Sequence, residues 1–219
     1  MNSAELEAKV KMLEEEIRTL KDIEEIKTLQ RIYGYYLDND MNDDVIKLFS
    51  DNTESVEVAD RGVFLGKEGV RKFFKLALGK GLTKPPPELS LHLVMQHQGV
   101  VHVAQDGKTA KGRWQGWMVG VKPVAGVNRQ IWGHGIYEND YVKEDGKWKF
   151  KKLYFYLTFQ TPYEDGWLKT PVISRLERDP VKPDKPSTAY FPYPSGYKVP
   201  CHWKTPVTDA GNARKRKKR

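Results

Sequence analysis

The chain has a single cysteine, Cys201, among its 219 residues, so no internal disulfide braces it and no thiolate zinc site is available. It has no run of 18 apolar residues that would read as a membrane span. Its N-terminus is rich in Glu and Lys, with no basic-then-apolar leader, so no secretory signal is read and a cytoplasmic location is expected. The five histidines are scattered without ligand spacing, and neither a metal nor a cofactor is expected. The body also lacks a basic surface. The net charge is +8, but six of those charges are Arg214, Lys215, Arg216, Lys217, Lys218 and Arg219, which leaves +2. Such a run reads as a solvated tail, with nucleic-acid attachment the weaker alternative, because no basic stripe with interleaved aromatics accompanies it.

What the chain does have is a block of long strands. Leu89–Val103, Lys108–Val121, Gln130–Tyr141 and Trp148–Phe159 are rich in Val, Trp and Tyr, and two Asp-Gly pairs, Asp106-Gly107 and Asp145-Gly146, sit between them. An Asp-Gly flanked by β-branched and aromatic runs is a strong hairpin cue, so one curved antiparallel sheet is expected. Residues 4–37 read as helix. Leu6, Val10, Leu13, Ile17 and Leu20 fall in steps of four and three, a short heptad seam suited to a neighbouring subunit or to the outside of the sheet. Ile23, Ile26, Leu29, Ile32 and Tyr36 shift phase and are expected to face the sheet.

Between helix and sheet, Asp43 or Asp44 can cap a short helix. Ser55–Ala59 and Val63–Gly66 read as short strands, and Lys67–Leu78 as a helix with Val70, Phe73, Phe74 and Leu78 inward. Gly79–Pro87 reads as a loop at the pocket rim. After Phe159 prolines recur among Tyr190, Phe191, Tyr193, Tyr197 and Trp203 with no periodicity. The division expected is a body over 1–160, an extended arm over 161–209 lying on the body or on a partner, and a basic tail over 210–219.

These elements make an α+β cone, and the residues carry a resemblance. The stretch IEEIKTLQRIYGYYLDNDMNDDVIKLFSDNTESVEV resembles the opening of SnoaL-like proteins of the nuclear transport factor 2 (NTF2-like) superfamily. GKTAKGRW and WGHGIYENDYVKEDGKWKFKKLYFYLTF are similar to its strands, and YFPYPSGYKVPCHWKTPVTD to the extension of a longer subgroup. The subgroup resembles bacterial lignin-dimer γ-formaldehyde lyases and, more distantly, bile-acid and scytalone dehydratases. The resemblance implies a cofactor-independent lyase acting on a hydroxylated aromatic small molecule, by release of formaldehyde or of water, and a homo-oligomer with a trimer favoured over a dimer. It places Tyr33 and Asp38 in a Y-x-x-x-x-D pattern at the helix end, with His92 on the first long strand. Arg113 stands where the bile-acid enzymes have an acid.

Such chemistry needs a proton carrier near neutral pKa, support for negative charge on oxygen, and a dry cavity. His92 and His134 are the candidate carriers, with Asp38 to orient one of them and with Arg113 and Tyr33 to steady an oxygen. Strand alternation puts His92, Val94, Gln96 and Gln98 on one face, and Arg113, Gln115 and Trp117 on one face. Gln96, Gln115, Trp117, Trp132, Tyr154 and Tyr156, together with Trp114, are the candidate substrate walls. Each also has a plainer reading: Tyr33 as core, Asp38 as a helix cap, and His134, between two glycines, as the mark of a bulge. A non-catalytic binding protein of the same fold is the alternative.

Overall fold

The computed structural model describes residues 2–78, 91–124, 127–173 and 181–204. Its elements follow in the order α1 Ser3–Asp38, α2 Asn42–Lys47, β1 Ser55–Val58, β2 Val63–Leu65, α3 Gly66–Lys72, β3 His92–Val103, β4 Thr109–Val124, β5 Val127–Glu144, β6 Lys147–Pro162 and α4 Gly166–Lys169. They form an α+β cone around one six-stranded sheet of order β2-β1-β6-β5-β4-β3. Its ladders are antiparallel except for β1 beside β6.

The turn chemistry explains the hairpins. Asp145 and Gly146 both take positive φ, 50° and 74°, which a two-residue turn between twisted strands requires. At the other turn the Asp106 carboxylate accepts from the backbone of Lys108 and Thr109, at 2.8 and 2.9 Å. The sheet curves at three register shifts, His97/Val100, His134/Gly135 and Asp140/Tyr141. Gly135 faces inward beneath a ring, and a Cβ there would lie 2.2 Å from Phe155 Cζ. The extra residue of the shift beside His134 is Thr158 on β6, and Gly135 leaves room for the Phe155 ring.

Helix α1 starts on a capping box between Asn2 and Glu5 and lays Ile26, Leu29, Tyr33 and Leu37 on the sheet. Where it meets the sheet, buried Asp22 accepts from Lys143 Nζ at 2.5 Å and Trp148 Nε1 at 2.9 Å. Eight residues on, Gln30 is fully buried. Its Oε1 accepts from the Tyr141 hydroxyl at 2.6 Å and from Asn139 Nδ2 at 3.1 Å, and its Nε2 donates to Gln96 Oε1.

Two local expectations are corrected. Asp43 and Asp44 lie in the first turn of α2, where they meet the helix dipole, and Met41 holds the cap position without a side-chain bond. The helix expected over Lys67–Leu78 changes to a π-helical turn at Phe73–Leu78. The wider turn buries Phe73, Phe74 and Ala77 together, and Arg61 Nη1 donates to the Ala77 carbonyl at 2.7 Å. The Leu78 side chain, the Gly79–Pro87 loop, the strand start at Leu89 and the 210–219 tail lie outside the described residues.

Residues 184–203 run along the outer face of the same chain's sheet. Asp184 and Lys185 bond Val63, and Thr188 donates twice to the buried Glu57 carboxylate. The Tyr156 hydroxyl pairs with the Phe191 backbone, and Arg113 donates to the carbonyls of Val199 and Pro200.

Gln30→Leu keeps the volume but leaves the Tyr141 hydroxyl and Asn139 amide without their acceptor. A loss of about 2–4 kcal/mol is expected in urea unfolding, at roughly 1–3 kcal/mol per orphaned buried group. Gln30→Glu, which retains the acceptor, is expected to restore part of it.

Candidate active site

The concave face of the sheet and the body-facing side of α1 enclose a pocket of about 80 Å³. Tyr33 and Leu37 come from α1, His92 and Val94 from β3, Met118 from β4, Tyr137 from β5, and Phe155, Leu157 and Gln160 from β6. Asp60 and Arg61, in the turn between β1 and β2, close one side beside Phe73. Strand alternation, reset at each bulge, selects these side chains. The lining is mostly apolar and aromatic, with a few polar groups converging, as ligand pockets are built. Asp60, Arg61, His92 and Gln160 all make polar or ring contacts, so none is a loose side chain.

Burial sets the proton chemistry. Tyr33 and Tyr137 are almost completely buried, their hydroxyls facing each other. Desolvation raises both phenols well above their ordinary value, so both keep their protons and act as donors. Partial burial raises the Asp38 carboxyl, opposed by the Val94 N–H, which donates to Oδ1 at 2.7 Å. That bond ties the end of α1 to β3 just beyond His92.

The sequence-selected residues divide between two faces. Tyr33 and His92 line the pocket; Asp38 does not, and lies in a neighbouring concavity beside Gly34, Tyr35 and Gln96. Gln96 also points inward but is committed to Gln30, and its Nε2 is buried without a partner among the described residues. Trp114 points inward and donates to the Tyr141 hydroxyl at 2.9 Å.

The remaining candidates lie across the sheet from the pocket, against the expectation that they share it. Arg113 pairs with Glu138 at 2.6 Å, and Glu138 in turn meets His202 of the arm. His134 contacts Thr158 at 3.2 Å, and its ring packs with Trp117 and Phe159; burial lowers its pKa. Trp132 joins the same cluster. Gln115, Tyr154 and Tyr156 share that outer face, with Tyr156 under the arm. The pocket's own cation and carboxylate, Arg61 and Asp60, were not among the residues selected from the sequence. Their one visible signal was charge placed immediately before Gly62 at the end of a strand.

A roomier concavity, of about 400 Å³, opens at the far end of the hairpins between His102, Lys111, Lys151, His202 and Trp203. It is open to solvent, and its lysines pair with Asp140 and Glu54. The smaller interior pocket is the better candidate, because it lies on the concave face and brings the buried pair Tyr33 and Tyr137 together with His92, Asp60 and Arg61.

The fold has solved counterparts. A scytalone dehydratase-like protein from Novosphingobium aromaticivorans superposes with a TM-score of 0.55 at 19% identity, covering 72% of this chain and 97% of that one. The hexachlorocyclohexane dehydrochlorinase LinA-type3 from Novosphingobium barchaimii gives 0.54 at 19%, over 67% and 93%. LinA itself gives 0.57 at 18%, over 67% and 92%. At these identities the likeness establishes the cone fold. The model of the SnoaL-like domain matches residues 18–154, from within α1 into β6. The chain therefore belongs to the SnoaL-like family of the NTF2-like superfamily.

Proposed function

We propose that this protein is a cofactor-independent lyase that eliminates water from a hydroxylated aromatic small molecule bound inside the cone. The observation that carries this reading is a largely apolar pocket in which one histidine shares the space with two buried phenols whose desolvation favours the protonated form. His92 takes a proton from carbon while Tyr33, backed by Tyr137, donates toward the departing oxygen. Asp38 is a positioning residue that fixes the strand carrying His92. Arg61, in the pocket wall, takes the charge-steadying role that the sequence suggested for Arg113. The relatives named for eliminations, of water or of hydrogen chloride, agree with this reaction class.

A second reading, formaldehyde release from a lignin-derived diaryl diol to give a stilbene, uses the same groups. A base draws the proton from the terminal hydroxyl, the C–C bond breaks to formaldehyde, and the electron pair forms the alkene as protonated hydroxide leaves. The rings of Tyr33, Phe73, Tyr137 and Phe155 favour an aromatic ligand in either case. The pocket volume of about 80 Å³ favours a compact single-ring ligand over a diaryl one, since pockets for drug-sized ligands span roughly 300–1,000 Å³. The homo-oligomer and the cytoplasmic location remain part of this proposal.

Incubation with a panel of hydroxylated aromatic compounds, read by mass spectrometry alongside a formaldehyde assay, separates the two reactions. Products that keep every carbon are expected; formaldehyde and a stilbene establish the second reading instead, and no turnover at all moves the assignment to a binding protein. On an identified substrate, His92→Ala is expected to lower kcat about 10²–10⁴-fold, the usual contribution of a general base. Arg113→Ala, on the opposite face, is expected to change it by less than about threefold while loosening the arm. Equal losses in the two variants would sink the interior assignment.

The pH profile provides a further check. Burial raises both phenols above their ordinary value, so kcat is expected to stay level on the alkaline side to about pH 10. An alkaline limb near pH 8–9 removes Tyr33 as the donor.

A further inference from the structure

Residues 2–21 of α1 are all exposed, so the helix projects about 30 Å beyond the body before Asp22 meets the sheet. Along that length Leu6, Val10, Leu13, Ile17 and Leu20 are 46–64% exposed and form one stripe. Five aliphatic side chains in water on one face require an explanation, and their spacing supplies it. Val10 and Ile17 occupy a positions of a heptad, and Leu6, Leu13 and Leu20 occupy d positions. β-Branched residues at a with leucine at d favour two parallel strands.

The charges beside the stripe agree. Lys9 and Glu16 occupy g, and Glu7, Glu14 and Lys21 occupy e. In a parallel pair each g faces the next e of the other helix, which sets Lys9 against Glu14 and Glu16 against Lys21, in both directions. An antiparallel pair in either a-to-d register loses one apolar layer and sets Glu14 against Glu7 or Glu14 of the second copy. The geometry also leaves room. Asp22 lies at f, on the opposite side of the helix from the stripe, and Ile26, Leu29, Gln30, Tyr33 and Leu37 continue that opposite side onto the sheet. Two bodies would therefore hang on opposite sides of a shared coil. Five layers are few for a free coiled coil, but here the helix is already nucleated by its anchored half, which removes the costliest step.

We propose that residues 3–20 pair with the same segment of a second copy of this chain as a parallel two-stranded coiled coil. The surface is independent of the interior pocket, and it favours a dimer over the trimer that the family resemblance implies.

Sedimentation equilibrium on the full chain is expected to report twice the 25.3 kDa chain mass, falling toward one at low concentration. Leu13→Glu is expected to shift the protein to monomer with unchanged circular dichroism, because the side chain is exposed in the single chain. In a Cys201→Ser background, Leu6→Cys is expected to cross-link into a covalent dimer under mild oxidation, since parallel strands place residue 6 beside residue 6. A monomer at all concentrations, a trimer, or a dimer indifferent to Leu13→Glu overturns the proposal. A dimer in which Leu6→Cys does not cross-link overturns the parallel arrangement.

Discussion

One buried amide ties the structure together. Gln30 reaches Gln96 on β3 and Asn139 and Tyr141 on β5; through Tyr141 it reaches Trp114 on β4, and through Asn139 the backbone of Tyr154 on β6. A single side chain of α1 thus addresses all four long strands. Hydrophobic contact alone lets a helix slide along a curved sheet at little cost, because apolar burial has no direction. A buried amide whose oxygen takes two donors permits one depth and one rotation, since any slip orphans polar groups in a dry interior. The position of Tyr33, less than one turn further along, follows from it. Its ring meets Tyr137 edge-on at 6.1 Å because Gln30 has fixed the helix there.

The sheet then separates two kinds of chemistry. The concave face carries the histidine, the phenols and the Asp60–Arg61 turn around a largely apolar space. The outer face carries Arg113, Glu138 and His202, linked by hydrogen bonds that hold the arm down. Both faces carry cover, the concave one from the helices and part of the outer one from the arm and the aromatic cluster around Trp117, while Leu93 and Met95 of β3 stay exposed. That cover is why strands this rich in Trp and Tyr remain compatible with a globular chain.

The same double cover limits what could be read from the sequence. The four long strands were legible to within a few residues, because Asp-Gly turns and β-branched runs act locally. Helix α1 was legible from its periodicity, and its change of phase between Leu20 and Ile23 is real. Which face of each strand looks inward was not legible. Alternation sorts residues into two sets without labelling them, and here the outer set, with Arg113, Trp117, Trp132 and His134, looks as functional as the inner one. The bulges at His97/Val100 and His134/Gly135 also reset the phase, so counting along a strand fails past them. The family motif avoided this difficulty at Tyr33 and His92, since it fixes positions rather than faces. It carried no information on Asp60 and Arg61, which enter the pocket only because β1 lies beside β6.

A pocket built this way is asymmetric toward protons. Desolvation makes a neutral phenol more stable than a phenolate, so Tyr33 and Tyr137 can give or share a hydrogen bond but cannot take a proton from a substrate. Under the proposed function, acceptance falls to His92. A site with a strong preference for donation on one wall and an acceptor on another suits reactions that remove a proton at one atom and assist departure at its neighbour. An addition–hydrolysis sequence needs water held and activated at the reacting carbon. An apolar wall such as Leu37, Val94, Met118 and Leu157 form suits the elimination proposed above. In that proposal the shape of the interior carries more of the argument than any single residue in it.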